Sequence, residues 1–178
     1  MQAVGGGSLV QRMIGAARLD AHTYEEVERD TSATTQAAIV VALAAIAGGI
    51  GSTGDEGGTG FIGGIISMIV FWAIFSGVAY LVGTRLTSTA ATSSSWQEVM
   101  RTLGFAFTPL LISVVGFIPI LGGLLALVGL IWFLVTATLA LRHALDMSTG
   151  RAIGTAVISL LPAAFISGII LSIFGIGR

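Results

Sequence analysis

The longest uncharged stretch of the chain covers residues 103–141, which contain no acidic or basic side chain. A single helix of that length would measure about 58 Å, nearly twice the roughly 30 Å of a bilayer hydrocarbon core. The stretch must therefore turn back. Three glycines (Gly116, Gly122 and Gly123) and Pro119 lie between residues 116 and 123, and proline cannot continue a helical hydrogen-bond ladder. We predict a helical hairpin of two spans, about 103–118 and 121–141.

Three further apolar segments cover about 34–50, 61–83 and 153–174. Charged residues make up 10% of the 178 residues and the mean hydropathy is +0.97, whereas a soluble domain carries about 25% charged residues. We predict an all-α integral membrane protein, with a five-helix transmembrane bundle over 31–178. The absence of cysteine excludes disulfides and thiolate sites, and a net charge of −1 gives no basic surface for nucleic acid.

The arginines predict the orientation of these spans. If successive loops alternate between the two sides of the membrane, seven of the eight arginines lie on one side. Positive charge is retained in the cytoplasm, so we predict a cytoplasmic amino terminus and a carboxyl terminus on the opposite side, in a cell inner or plasma membrane. The residues assigned to that interface are Arg12, Arg18, Arg85, Trp96, Arg101, Arg142 and Arg151.

A hairpin that entered the membrane without crossing it would give the same charge pattern, because its tip is neutral. We favour a hairpin that crosses, because a turn exposed to lipid would leave backbone groups without hydrogen bonds.

The segment 1–30 is predicted to be cytoplasmic or interfacial and to contain a short amphipathic helix. Its apolar positions recur at helical spacing, and the remaining positions lie on the other side. The apolar set is Leu9, Val10, Met13, Ala16 and Ala17, and the other set is Gln11, Arg12, Gly15 and Arg18. The helix either lies along the interface or covers the ends of the spans. Thr23 and Glu26 have the spacing of a capping box, which predicts the start of a second helix.

The sequence offers little catalytic chemistry. The predicted spans contain no charged residue and no histidine, which argues against an ion-coupled carrier or a pump. Six polar residues outside the spans are of metal-binding type, but their spacing matches no ligand signature: Asp20, His22, Glu25, Glu26, His143 and Asp146. We therefore expect a protein that is not an enzyme and has no metal or cofactor. Pro109 and Pro162 predict helix kinks.

Small residues recur every four positions in two spans. Ala44 with Gly48 forms one such stripe, and Ala164, Gly168 and Ser172 form another. Such stripes allow helix backbones to approach closely, so we assign them to helix packing or to contact with a partner. A chance recurrence is the remaining alternative in a chain with 25 glycines.

An ordered set of motifs resembles the Yip-one domain family, the Ypt/Rab-interacting polytopic membrane proteins, in its bacterial branch. The motifs are GAARLD at 15–20, YEEVE at 24–28, LGFAFTP at 103–109, IW at 131–132 and RHAL at 142–145. The resemblance implies a five-helix membrane bundle with no catalytic role. Eukaryotic members bind small GTPases and help to organise vesicle traffic. This sequence has no YLxxGP or DLYGP motif, and Phe105 stands where a tyrosine is common.

Two functions are consistent with these features. The first is a non-catalytic scaffold or accessory subunit that binds other membrane proteins or forms a homo-oligomer, with membrane lipids around it. The alternative is a small permease or a lipid-handling protein, suggested by the two prolines and by nine hydroxyl side chains within the spans.

Overall fold

The computed structural model describes residues 7–51, 58–88, 92, 94–118 and 120–176, and these residues form helices and no strands. The helices are α1 (Leu9–Ala17), α2 (Ala21–Arg29), α3 (Ala33–Gly51), α4 (Gly58–Arg85), α5 (Trp96–Ala106), a 3-10 helix (Thr108–Val115), α6 (Leu121–Ala144) and α7 (Thr149–Ile173). Pro119 and Arg178, which carried part of the turn and charge predictions, lie outside the described residues.

Five segments are long and apolar enough to cross a membrane, which confirms the predicted all-α membrane bundle with a short amino-terminal helix. They are Ala33–Gly51, Phe61–Arg85, Trp96–Val115, Leu121–Ala144 and Thr149–Ile173. The third segment begins at Trp96 and not near residue 103. Glu98 and Arg101 therefore lie within it, and the expectation that every span is free of charge is wrong for this segment.

This third segment changes helix type at Pro109. The proline has no N–H to donate to the Phe105 carbonyl, and the Thr108 hydroxyl donates to that carbonyl instead, at 2.7 Å. The α-helix ends at Ala106 and a 3-10 helix follows, so Pro109 marks a change of helix type where we predicted a kink. The two helices together measure about 33 Å, enough to cross a hydrocarbon core of about 30 Å.

Helix α3 runs parallel to α5 and the 3-10 helix. Near the start of α3, Gly104 packs against Ala37, where a methyl group on the glycine would come within 2.5 Å of the alanine side chain. At the other end, a methyl group on Gly51 would overlap the Ser113 carbonyl oxygen. The carboxyl end of α3 therefore lies level with the end of the 3-10 helix.

The turn into α6 is built on close glycine contacts. A methyl group on Gly122 would overlap the Gly116 carbonyl oxygen, and Ile120 between them takes a left-handed conformation with φ of 67°. Helix α6 then returns antiparallel to α5, and the Thr136 hydroxyl donates to the Ala106 carbonyl at 2.8 Å. The hairpin predicted from the uncharged stretch is present, with its tip beside Gly51 of α3.

Helices α4 and α7 form a second antiparallel pair. The hydroxyls of Thr87 and Thr155 lie 2.7 Å apart at one end of this pair. Aromatic rings join it to the hairpin: Phe71 of α4 lies edge-on to Phe107 with ring centroids 6.4 Å apart, and Phe75 of α4 lies 6.3 Å from Phe133. Pro162 lies inside α7, which continues through it to Ile173.

The amino-terminal helices pack along the side of the bundle. The Trp132 indole donates to the Ala17 carbonyl at 2.9 Å, and Trp132 lies twelve residues before the end of α6 at Ala144, or about 18 Å along the helix axis. Of the two predicted placements, the one over the ends of the spans is therefore not the one that helix α1 takes. Its outward face carries Val10 at 61% exposure and Ile14 at 47%, while Arg12 faces inward.

Candidate functional site

Among the described residues, Arg12 is the most buried charged residue, with 2% of its surface exposed. Its guanidinium lies 2.8 Å from Glu26 Oε1 and 2.5 Å from Asp30 Oδ2, and it donates to Gln36 Oε1 at 3.0 Å. These four residues, the Arg12 cluster, join α1 to α2 and to the first turn of α3. The sequence assigns Arg12 to the membrane interface; the structure places its side chain inside the protein, and its depth in the membrane stays a prediction.

The two carboxylates of the Arg12 cluster are held in their charged form. A hydrogen bond from the Gly7 N–H, at 2.6 Å, and the Arg12 guanidinium lower the pKa of Glu26. Hydrogen bonds from Ser32 and from Arg12 lower the pKa of Asp30. Glu26 thus binds Arg12 and Gly7, and the predicted capping box with Thr23 is wrong. Helix α2 begins earlier, with Asp20 as its N-cap.

Arg101, another arginine that the sequence assigns to the interface, is also buried within the protein, at 4% exposure. Its guanidinium donates to the carbonyls of Val27, at 3.3 Å, and of Glu28. These carbonyls lie in the last turn of α2, which leaves carbonyl groups free to accept hydrogen bonds and attracts positive charge. Arg101 therefore holds the end of α2 against α5.

Three residues connect α2 to the end of α6. The rings of Tyr24 and His143 stack with centroids 6.2 Å apart, and the Glu25 carboxylate lies 3.8 Å from His143 Nδ1. Glu25 and Glu26 thus face different partners. The described residues contain no group of three or more histidine or acidic side chains that could hold a metal ion.

Glu28 has an unusual electrostatic environment. Partial burial, together with the carboxylates of Asp146 and Glu98, raises its pKa to about 7. Arg29 opposes this shift only in part. Glu28 therefore changes its charge near neutral pH, unlike Glu26 and Asp30.

The remaining predicted interfacial residues are exposed. Arg85 lies in the last turn of α4 and Arg142 in the last turn of α6, while Trp96 begins α5 and Arg18 caps α1. Arg151, in the first turn of α7, donates to the carbonyls of Thr87 and Ser88 at 3.0 and 2.7 Å. Because α4 and α6 end where α5 and α7 begin, Arg85, Arg101, Arg142 and Arg151 lie at the same end of the bundle.

Most hydroxyls within the spans bond to backbone carbonyls. Seven of the nine that the sequence suggested donate to a carbonyl three or four residues earlier: Ser76, Thr108, Ser113, Thr136, Thr138, Ser167 and Ser172. The Ser159 oxygen is buried and has no hydrogen-bond partner. These seven hydroxyls satisfy carbonyls in the preceding turn of their own span.

The stripe on α3 is used within the chain. Ala44 is 1% exposed, and a methyl group on Gly48 would lie 3.7 Å from the Ser113 hydroxyl of the 3-10 helix. The neighbouring Gly49 packs against the Phe61 ring of α4 so closely that a methyl group there would come within 2.5 Å of it.

The stripe on α7 has no contact of this kind. Ala164, Gly168 and Ser172 are exposed, and a methyl group on Gly168 would have no atom within 4 Å. Large apolar side chains lie beside the stripe, including Leu161 at 77% exposure and Phe165 at 70%. The same sequence pattern thus has two different environments in the two helices.

Sequence reasoning missed the inward orientation of Arg12 and Arg101. A helical-wheel reading assigns an arginine to the outer face, and it has no information about acceptors in other helices. Two sequence features were consistent with inward-facing arginines. Glu26 and Asp30 lie four residues apart on one face of α2, and Arg101 is followed by the apolar stretch into which its helix continues.

Five long apolar helices, which pack through small residues and aromatic rings, define a polytopic integral membrane protein of the all-α class. Within that class the chain belongs to the Yip1 domain family, whose profile matches residues 20–172. The resemblance seen in the sequence motifs is thereby confirmed at the level of the family. No curated protein and no solved structure matches the chain.

Proposed function

We propose that this protein is a non-catalytic scaffold or accessory subunit that binds other membrane proteins through the outer face of α7. The observation that carries the proposal is the exposed stripe of Ala164, Gly168 and Ser172. In lipid, helix association depends on close packing and hydrogen bonding, because lipid tails are as apolar as the helices. A line of small residues between larger ones such as Phe165 provides the shallow groove that such packing needs.

The use of the polar groups supports a non-catalytic role. Arg12 and Arg101 bind carboxylates or carbonyls of neighbouring helices, and most hydroxyls in the spans bond to their own helix backbone. These groups stabilise the fold. The same observation disfavours the permease alternative, which needs polar groups along a path. A lipid-handling role has separate support from a groove between α6 and α7.

We further propose a bacterial inner membrane as the location, with a cytoplasmic amino terminus. The bacterial assignment rests on the sequence motifs. The orientation is supported by the four arginines at the end of the bundle where α4 and α6 finish, since positive charge is retained in the cytoplasm.

Crosslinking in native membranes, followed by mass spectrometry, tests the partner proposal with two matched variants. Gly168→Leu fills the α7 stripe and should remove the crosslinked partner. Gly64→Leu makes the same change at another exposed position with no atom within 4 Å, on α4, and should leave the crosslinks unchanged. A wild-type chain that is monomeric, with no partner at stoichiometric yield, would overturn the proposal.

A further inference from the structure

An apolar groove of about 520 Å³ lies on the surface between α6 and α7. Its walls are almost entirely aliphatic and include Ile131 and Val135 of α6 and Val157 of α7. Leu19, at the corner between α1 and α2, closes one side in a left-handed conformation with φ of 62°. Arg142 lies at the end where α6 finishes, and Thr149 lies beside it at the start of α7.

We propose that this groove binds one acyl chain of an anionic phospholipid, with the lipid phosphate at Arg142. From Ile131 to Arg142 the groove extends eleven residues, or about 16 Å along α6. One leaflet of the hydrocarbon core is about 15 Å deep, half of the roughly 30 Å total. The groove therefore has the depth of a single lipid tail, and its one charged group lies at the level of a headgroup.

The charge at the mouth of the groove favours an anionic headgroup. Arg142 is exposed, and no carboxylate of the described residues forms an ion pair with it. The amino terminus of α7 opens at the same place, because Thr149 is both its first residue and part of the lining. Ser148 occupies the N-cap position but its side chain makes no capping bond, so the N–H groups of the first turn are free to bind a phosphate.

The size of the groove favours a lipid tail over a protein helix. A transmembrane helix of about 10 Å diameter occupies about 1,250 Å³ over 16 Å of its length, more than twice the volume of the groove. The groove volume of about 520 Å³ lies within the range of roughly 300–1,000 Å³ that is typical of small-molecule sites. The groove and the α7 stripe share no residues, so the lipid proposal and the partner proposal can be tested independently.

Native mass spectrometry of the purified full chain, titrated with phosphatidylglycerol or with phosphatidylcholine of the same acyl chains, tests the headgroup contact. We expect the wild type to bind one phosphatidylglycerol in preference to phosphatidylcholine. Arg142→Gln should weaken phosphatidylglycerol binding about tenfold, as expected for the loss of a charge-assisted phosphate contact. Arg85→Gln is the matched control, because Arg85 is likewise exposed in the last turn of its helix.

A second pair of variants tests the acyl chain. Val135→Trp fills the groove from an exposed position and should weaken binding of both lipids. Val128→Trp makes the same change two turns earlier on the same face of α6, outside the groove, and should have no effect. The proposal is overturned if Arg142→Gln binds phosphatidylglycerol as the wild type does, if Val135→Trp has no effect, or if millimolar inorganic phosphate alone displaces the lipid.

Discussion

The guanidinium of Arg12 hydrogen-bonds to side chains from two other helices, at a position where 2% of the residue is exposed. Its partners Glu26 and Asp30 keep about 30% and 28% of their side chains exposed. The cluster thus lies at the edge of the protein interior. Loss of the arginine would leave two adjacent carboxylates without a counter-charge and only partly hydrated.

We expect Arg12→Gln to lower the free energy of unfolding by about 1–3 kcal/mol, less than the roughly 3–5 kcal/mol for a fully buried pair, because the carboxylates retain some water. Thermal unfolding in detergent, followed by tryptophan fluorescence, measures this. Arg29→Gln is the control, since Arg29 is 76% exposed and lies 3.7 Å from Glu25. It should cost less than about 0.5 kcal/mol. Equal losses in the two variants would contradict a structural role for the Arg12 cluster.

Glu28 should make stability depend on pH near neutrality. Its pKa is about 7 in the folded protein and about 4.5 when unfolded, so between these values the folded state binds the extra proton. Stability should therefore fall as pH rises from about 4.5 to 7 and then level off. Glu28→Gln should remove this fall, which unfolding at a series of pH values measures.

Glu26 and Asp30 provide an internal reference for that experiment. Their pKa values are lowered in the folded protein, so the stability they contribute is present above their ordinary range and is lost only in more acidic solution. The two effects thus occupy separate pH windows. A fall between pH 4.5 and 7 that persisted in Glu28→Gln would assign the effect to another group.

At the scale of the elements, the close contact between Gly116 and Gly122 sets the geometry of the hairpin. We expect Gly122→Ala to cost about 1–3 kcal/mol, because the new methyl group would overlap the Gly116 carbonyl and force the turn open. The adjacent Gly123→Ala is the control. It has no atom within 4 Å and should be neutral or stabilise α6 by up to about 1 kcal/mol, since alanine favours helix. Similar melting temperatures for both variants would refute the contact.

The elements also show which features a sequence can predict. Hydropathy and length were enough to find five spans and the hairpin, because apolar side chains exposed to lipid must form uninterrupted runs. The start of the third span was not found, because we placed Arg101 in the loop that precedes it. Arg101 donates hydrogen bonds to carbonyls of α2, such as that of Val27, which lie about seventy residues earlier in the chain. Contacts between distant elements are not visible in local composition.

The stripes show the same limit. Ala44 with Gly48 and Ala164 with Gly168 are equivalent as sequence patterns, yet one packs inside the chain and the other is exposed. The difference follows from the order of packing: α3 lies between the hairpin and α4, whereas α7 packs on α4 and α6 and keeps its outer face free. A pattern predicts that a helix face can pack closely, and the topology decides what packs there.

At the scale of the whole molecule, the hairpin and α3 reach the same depth. Gly51 at the end of α3 contacts Gly116 at the hairpin tip, and both α3 and the third span are about 30 Å long. If α3 crosses the membrane, the tip emerges beside it on the far side. A hairpin that re-entered would require α3 to stop at mid-depth, where its last carbonyls would lie unsatisfied in lipid.

Single-cysteine variants test this directly, because the wild-type chain has no cysteine. Phe117 at the tip is 52% exposed, and Ser148 in the loop before α7 is also exposed. A membrane-impermeant thiol reagent, applied to intact spheroplasts and to inverted vesicles, should label Phe117→Cys from the periplasmic side and Ser148→Cys from the cytoplasmic side. Labelling of both from the same side would show that the hairpin does not cross. After solubilisation, both variants should be labelled and the wild type should not be. This control excludes a thiol that the reagent cannot reach, so the side from which each variant is labelled in membranes reports topology alone.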